Sequence, residues 1–145
     1  MNTAILPWQA WALLAAAFAA LTAIFGKVGV ESLNPDFATL IRTAVILAVV
    51  AAIVATTGAW QPLASVSGRS WVFLTLSGIA TGASWLCYYR ALKLGPASQV
   101  APIDKLSIVL VAVFAVLFLG EKLTGKNWLG VALIAVGAIL VATKR

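Results

Sequence analysis

An aspartate and a lysine stand side by side in a stretch otherwise suited to lipid. Asp104 and Lys105 lie within Gly95–Glu121, GPASQVAPIDKLSIVLVAVFAVLFLGE. That run has the length of a membrane span. Its first half also carries Ser98, Gln99, Pro102 and Ser107, and its second half is nearly pure Val, Leu, Phe and Ala. A charge at the centre of a membrane helix costs about 2.5–3.5 kcal/mol on insertion scales. Pro102 has no backbone N–H and frees a carbonyl one turn back, which makes it a helix kink. Lipid solvates none of these groups, so they face protein or a water-filled cavity. A lysine in such a cavity binds an anionic group. An aspartate beside it orients the lysine or takes a coupling proton. Neighbouring helical residues point about 100° apart, so a merely local salt bridge is not expected. One ion faces the cavity, and the other pairs with a basic residue on another helix, such as Arg42 or Arg90. The alternative is a structural ion pair that fixes packing.

Other residues carry related chemistry. Arg42 lies about two turns inside a second apolar run, with Thr39 and Thr43 on its face at i, i+3, i+4 spacing. It fits snorkelling and substrate contact equally well. Lys27, near the end of the first run, is read as snorkelling to the interface, with a cavity-facing role as the alternative. Trp85, Tyr88 and Tyr89 share a helical face, with Thr81 above them and Arg90 next in the chain. Such a stripe is an interfacial belt or the wall of a binding pocket. Enzymatic chemistry has little to stand on. There is no histidine, and the lone Cys87 reads as a small apolar residue. No dinucleotide fingerprint, P-loop, metalloprotease motif or cysteine cluster occurs. No catalytic residue, metal site or cofactor is expected.

The elements that position these residues are membrane helices. The 145 residues are 63% hydrophobic and only 10% charged, with a mean hydropathy of +1.06. Soluble domains carry about 25% charged residues, and a soluble core of this size has no room for so much apolar surface. The net charge of +6 is scattered over helix ends and spans. It fits membrane topology and anionic headgroups rather than nucleic acid. Residues 1–7 lack a basic leader region and the apolar run reaches Phe25, so the first segment reads as a retained span, not a signal peptide. The expected fold class is all-α, an integral membrane bundle of five transmembrane helices at about 8–30, 36–57, 70–94, 97–120 and 127–143. Pro7 starts the first, and Asn34-Pro35-Asp36 turns the chain into the second. Gly58–Arg69 is the longest loop, and Gly95-Pro96 and Gly120–Lys126 are tight breaks. Gly78 with Gly82 on the third span, and Gly130 with Gly137 on the fifth, make smooth faces for helix or subunit packing. Five spans put the termini on opposite sides. Arg69, Lys122 and Lys126 fall on one side and Lys93, Lys144 and Arg145 on the other, so orientation is weakly biased and two opposite insertions are permitted.

The second half of the chain carries a recognisable order of motifs. It runs Tyr89-Arg-Ala-Leu-Lys-Leu-Gly-Pro-Ala-Ser98, Pro102, Asp104-Lys105, Phe118-Leu-Gly-Glu-Lys-Leu123, Asn127-Trp-Leu-Gly130 and Gly137. This resembles the EamA-type repeat of the drug/metabolite transporter superfamily, in its five-span, single-repeat bacterial and archaeal branch, over essentially the whole chain. The resemblance implies one domain over 1–145 that is half of a ten-span fold, in the inner membrane of a prokaryote. It also implies a homodimer, most simply antiparallel, with spans 1–4 lining a cavity and span 5 supporting the dimer contact.

The expected function is secondary transport of a small anionic or zwitterionic metabolite by alternating access. Basic residues outnumber acidic ones within the spans, which favours such a ligand over a lipophilic cation. Lys105, Asp104, Arg42, Lys27, Trp85, Tyr88, Tyr89 and Arg90 are the expected substrate-binding residues. Two alternatives are a non-transporting membrane subunit that packs against a larger partner, and a small multidrug or lipid-carrier exporter. The expected partners are the small-molecule substrate, membrane lipid and a second copy of the chain, with no nucleic acid.

Overall fold

A computed structural model describes residues 7–143. Its helices are α1 (Trp8–Val30), α2 (Pro35–Thr57), α3 (Gly68–Leu94), α4 (Ala97–Asp104), α5 (Ser107–Leu119) and α6 (Gly125–Ala142), with a 3-10 turn at Leu63–Ser65. No strand occurs among the described residues. Taking α4 and α5 as one segment, five helices among the described residues are long and apolar enough to cross a membrane. Lys144 and Arg145, expected at the membrane interface, lie outside the described residues.

The helix ends follow from local chemistry. The Pro7 carbonyl accepts from the Ala10 and Trp11 N–H groups. Asn34 caps α2, its Oδ1 accepting from Asp36 N–H at 2.9 Å and Phe37 N–H at 3.3 Å, with Pro35 in the first turn. Ser67 Oγ accepts from Ser70 N–H at 3.1 Å, so α3 begins at Gly68, two residues ahead of the expected start. Thr124 Oγ1 accepts from Asn127 N–H at 3.3 Å and starts α6.

Gly58 and Gly120 end α2 and α5 in the left-handed region, at φ 65° and 69°. There a Cβ crowds the following carbonyl, at about 1–2 kcal/mol per residue. Gly120→Val is expected to lower stability by about that amount, while Gly120→Asn loses less. Thermal unfolding of the purified protein in detergent checks this.

The described chain forms two compact units, residues 7–27 with 94–143, and residues 28–93. In the first, α4 and α5 both pack on α6. Its buried residues are small: Ala23, Gly26, Ala112, Ala115 and Ala138. Small side chains let helix backbones approach closely where lipid supplies no hydrophobic drive. In the second unit, Val30, Ala38, Thr39, Tyr89 and Leu92 are buried. Large apolar residues such as Phe18, Leu47, Phe73 and Leu117 stay exposed, as expected of surfaces whose solvent is hydrocarbon.

The fourth span departs from the expected continuous helix over 97–120. It is interrupted at Lys105–Leu106, three residues past Pro102, which lies inside α4. Through this turn the N–H groups of Leu106, Ile108 and Val109 reach back only three residues, to Ile103, Lys105 and Leu106, at 3.0 Å each. Bonds to i−3 mark 3-10 winding, which often occurs mid-helix at a hinge or a functional site. Discontinuous helices of this kind are tolerated at membrane depth only where protein or a cavity satisfies the backbone.

Candidate functional site

Within residues 28–93, the start of α2 is clamped to the end of α3. Arg90 grips Asp36 with two bonds, Nη2 to Oδ2 at 2.8 Å and Nε to Oδ1 at 3.1 Å. One turn on, Lys93 Nζ donates to the Leu33 carbonyl. The placement suits both helices. Asp36 sits in the first turn of α2 and Lys93 in the last turn of α3, where each charge opposes the local helix dipole. Arg90 therefore pairs with Asp36 within this unit. The physical reason is the two-pronged fit of a planar guanidinium to a carboxylate.

Arg42 lies six residues along α2 from Asp36, about 9 Å at 1.5 Å per residue. Its guanidinium carbon stands 3.9 Å from the centroid of the Trp85 ring and 5.6 Å from that of Tyr89. Tyr88 meets Tyr89 edge-on, with ring centroids 6.5 Å apart. The aromatic stripe of α3 is thus a cation platform. Arg42 sits against these rings, as a delocalised charge of flat shape favours an aromatic face. One guanidinium nitrogen, Nη1, is buried and has no hydrogen-bond partner among the described residues. Buried polar groups are nearly always bonded, so this nitrogen lacks the acceptor that such groups normally keep.

Beside that platform, α2 and α3 stand apart around a cavity of about 480 Å³. Thr43, Leu47 and Val50 face it from α2, and Leu74, Ser77, Thr81 and Trp85 from α3. Gly78 and Gly82 line it too. A Cβ on either would meet nothing within 4 Å. Within this chain the pair therefore makes room for the cavity, where a close helix contact was expected. Two of the hydroxyls are already committed as donors: Thr43 Oγ1 to the Thr39 carbonyl and Thr81 Oγ1 to the Ser77 carbonyl, both at 2.8 Å. To a ligand they offer only acceptor lone pairs.

In the other unit, Lys105 Nζ bonds Asp104 Oδ2 at 3.1 Å. A local pair was not expected. It forms although Lys105 and Leu106 both keep right-handed helical backbone, because the lysine side chain is long and flexible enough to fold back on its neighbour. Lys27 Nζ donates to the Gly95 carbonyl at 3.1 Å and is partly buried. That ties α1 to the turn before α4, a role intermediate between the two that the sequence suggested. Gly130 and Gly137 on α6 have no atom within 4 Å of an added Cβ, so this face is open in the protomer.

The sequence reading missed Asp36 as the partner of Arg90. The signal was present, since both lie near the ends of antiparallel spans on one side of the membrane, but Asp36 reads equally as a helix-start residue. It also missed the cavity wall, whose members are ordinary apolar and hydroxyl residues. No cluster of three or more metal-ligating side chains occurs among the described residues.

Comparison with known proteins places this geometry in context. The model of the EamA-like transporter family matches residues 6–143. A Sinorhizobium sp. protein described as an uncharacterized transporter in the cobO 3' region is 71% identical over 135 residues, covering 93% of this chain and 96% of that protein. The probable 4-amino-4-deoxy-L-arabinose-phosphoundecaprenol flippase subunit ArnE of Yersinia pestis (strain Pestoides F) is 35% identical over 82 residues, covering 57% of this chain and 72% of its own. No solved structure matches. With five spans, a charged and aromatic interior face, and a family match over nearly its whole length, the chain belongs to the EamA-like transporter family and is an integral inner-membrane transporter.

Proposed function

We propose that this chain is a single transmembrane domain that moves a small anionic or zwitterionic metabolite by alternating access, as a homodimer of oppositely inserted copies. The observation that carries the reading is Arg42: a permanent cation held over Trp85 with a buried nitrogen left unbonded. Intramembrane ions mark substrate pathways, and this one suits an anionic group. The interruption of the fourth span beside Asp104–Lys105 supports a second element of the mechanism. Discontinuous helices accompany substrate and ion sites in inverted-repeat transporters. Lys105 shifts between Asp104 and the substrate's anionic group, and Asp104 takes a proton when Lys105 leaves it. The near balance of basic residues on the two sides supports opposite insertion.

The test is flux in liposomes that contain only this protein, with labelled carboxylate, phosphate and amino-acid solutes. Flux of an anionic or zwitterionic solute is expected, and Lys105→Ala is expected to cut it at least about tenfold, the worth of one charge-assisted hydrogen bond. No flux of any such solute would overturn the reading.

A second reading is favoured by the ArnE relatives, which are named as flippase subunits, and by the apolar lining of the α2–α3 cavity. On that reading the chain is one subunit of an exporter of a lipid-linked solute. It predicts co-purification with a second membrane protein, and activity that survives Lys105→Ala and Asp104→Asn.

A further inference from the structure

We infer that the substrate of the α2–α3 site is an amphipathic organic anion: an apolar ring or short chain seated in the cavity, with a carboxylate or phosphate held by Arg42. The inference rests on the transport reading above and adds the chemical class of the substrate to it.

The Arg42 guanidinium carbon stands 3.9 Å from the centroid of the Trp85 ring, and its nitrogens are hydrogen-bond donors. One of them, Nη1, is buried and unbonded among the described residues. Arginine does not lose its charge in proteins, so an anionic ligand group suits it. Residues 28–93 contain two carboxylates, Glu31 and Asp36, and both oxygens of Asp36 accept from Arg90.

Trp85 belongs to the cation stack and to the cavity wall alike, so the apolar space opens directly beside the anion site. The wall is mostly apolar, and of its three hydroxyls those of Thr43 and Thr81 have spent their hydrogens on helix carbonyls, which leaves that of Ser77. That leaves too few polar groups to satisfy a sugar or a peptide, each of which would carry unpaired donors and acceptors into the site. At about 480 Å³ the space has the size of a small-molecule pocket. It suits a compact apolar body better than a long polyprenyl chain.

Binding to the full chain in nanodiscs of phosphatidylcholine tests this, with calorimetry as the readout. The probes are 2-naphthoate, which has both parts; acetate, which has only the anion; and 2-naphthalenemethanol, which has only the ring. Naphthoate is expected to bind at least about tenfold more tightly than either partial probe, because ring burial and charge pairing add. Arg42→Gln is expected to reduce naphthoate to the level of naphthalenemethanol. Gly78→Leu leaves Arg42 in place and fills space where a Cβ meets nothing within 4 Å, and it is expected to reduce naphthoate to the level of acetate. Unchanged helix content in both variants separates these losses from misfolding. Equal naphthoate affinity in wild type and Arg42→Gln would overturn the inference. So would acetate binding as tightly as naphthoate, or a polyprenyl phosphate binding where naphthoate does not. Binding needs no turnover, so the two readings fail separately. Arg42-dependent naphthoate binding without flux in liposomes removes the transport reading alone. Flux that ignores Arg42→Gln and Gly78→Leu removes this inference alone.

Discussion

Arg42→Gln is expected to lower substrate flux in liposomes by about 10- to 150-fold, with the protein still folded. The magnitude follows from the one interaction removed. A hydrogen bond from a charged donor contributes about 1.5–3 kcal/mol, and each 1.4 kcal/mol is a factor of ten. The glutamine amide keeps a donor and loses the charge, so the loss reports the anion. Arg42→Lys is expected to be nearly as impaired, although it keeps the charge. The ammonium is a compact, strongly hydrated point charge without the planar fork, whereas the guanidinium carbon stands 3.9 Å from the Trp85 ring centroid. Trp85→Leu supplies the complement, because it keeps Arg42 and removes the platform. Concentration dependence of initial flux separates the cases: loss of an anion contact raises the half-saturating concentration, whereas a structural defect lowers the amount of active protein. Wild-type flux in Arg42→Gln would mean that the cation stack serves helix packing alone.

The second large effect concerns assembly. Gly130→Leu and Gly137→Leu are each expected to shift the purified protein from dimer to monomer, read by light scattering in detergent or by cross-linking in membranes. The two glycines sit seven residues apart on α6, and a Cβ at either meets nothing within 4 Å inside the protomer. A larger residue therefore finds room in the isolated chain, and any loss of association is a statement about a partner. Small residues at a membrane helix interface let backbones approach, and bulk there removes most of that packing. Paired reporters on the C-terminus give a second readout, with signal from both sides of the membrane expected for oppositely inserted copies. A dimer that survives both substitutions would move the contact away from α6. Signal from one side alone would leave a parallel dimer or a complex with a different membrane protein.

Some of this was legible in the chain and some was not, and individual residues show the dividing line. Asn34, Pro35 and Gly58 bound α2 through bonds to atoms within a few residues, so their effect can be read from the sequence. The same holds for the five apolar runs, whose length matches a membrane and whose solvent is set by composition. The aromatic stripe was legible too, because Trp85, Tyr88 and Tyr89 share a face by helical geometry alone. What that stripe faces was not legible. Periodicity orients a residue about its own helix axis, but it says nothing of the rotation or spacing of the neighbouring helix.

Arg90 and Asp36 illustrate the limit. They are 54 residues apart, and their pairing at 2.8 Å depends on α2 and α3 meeting at one end. Asp104 and Lys105 illustrate it differently. The 100° separation of helical neighbours does not prevent the pair, because the lysine side chain is long enough to fold back on the adjacent carboxylate. Gly78 and Gly82 carry the same lesson. A small residue permits close packing, but it equally permits a gap, and only the positions of α2 and α3 decide for the cavity. By itself, then, the sequence determined an all-helical membrane transporter, the ends of its spans and the residues able to carry charge inside it, since these depend on local bonds and on composition. The tertiary structure alone decided which partner each charge has and where a cavity opens, because those depend on distances between helices far apart in the chain.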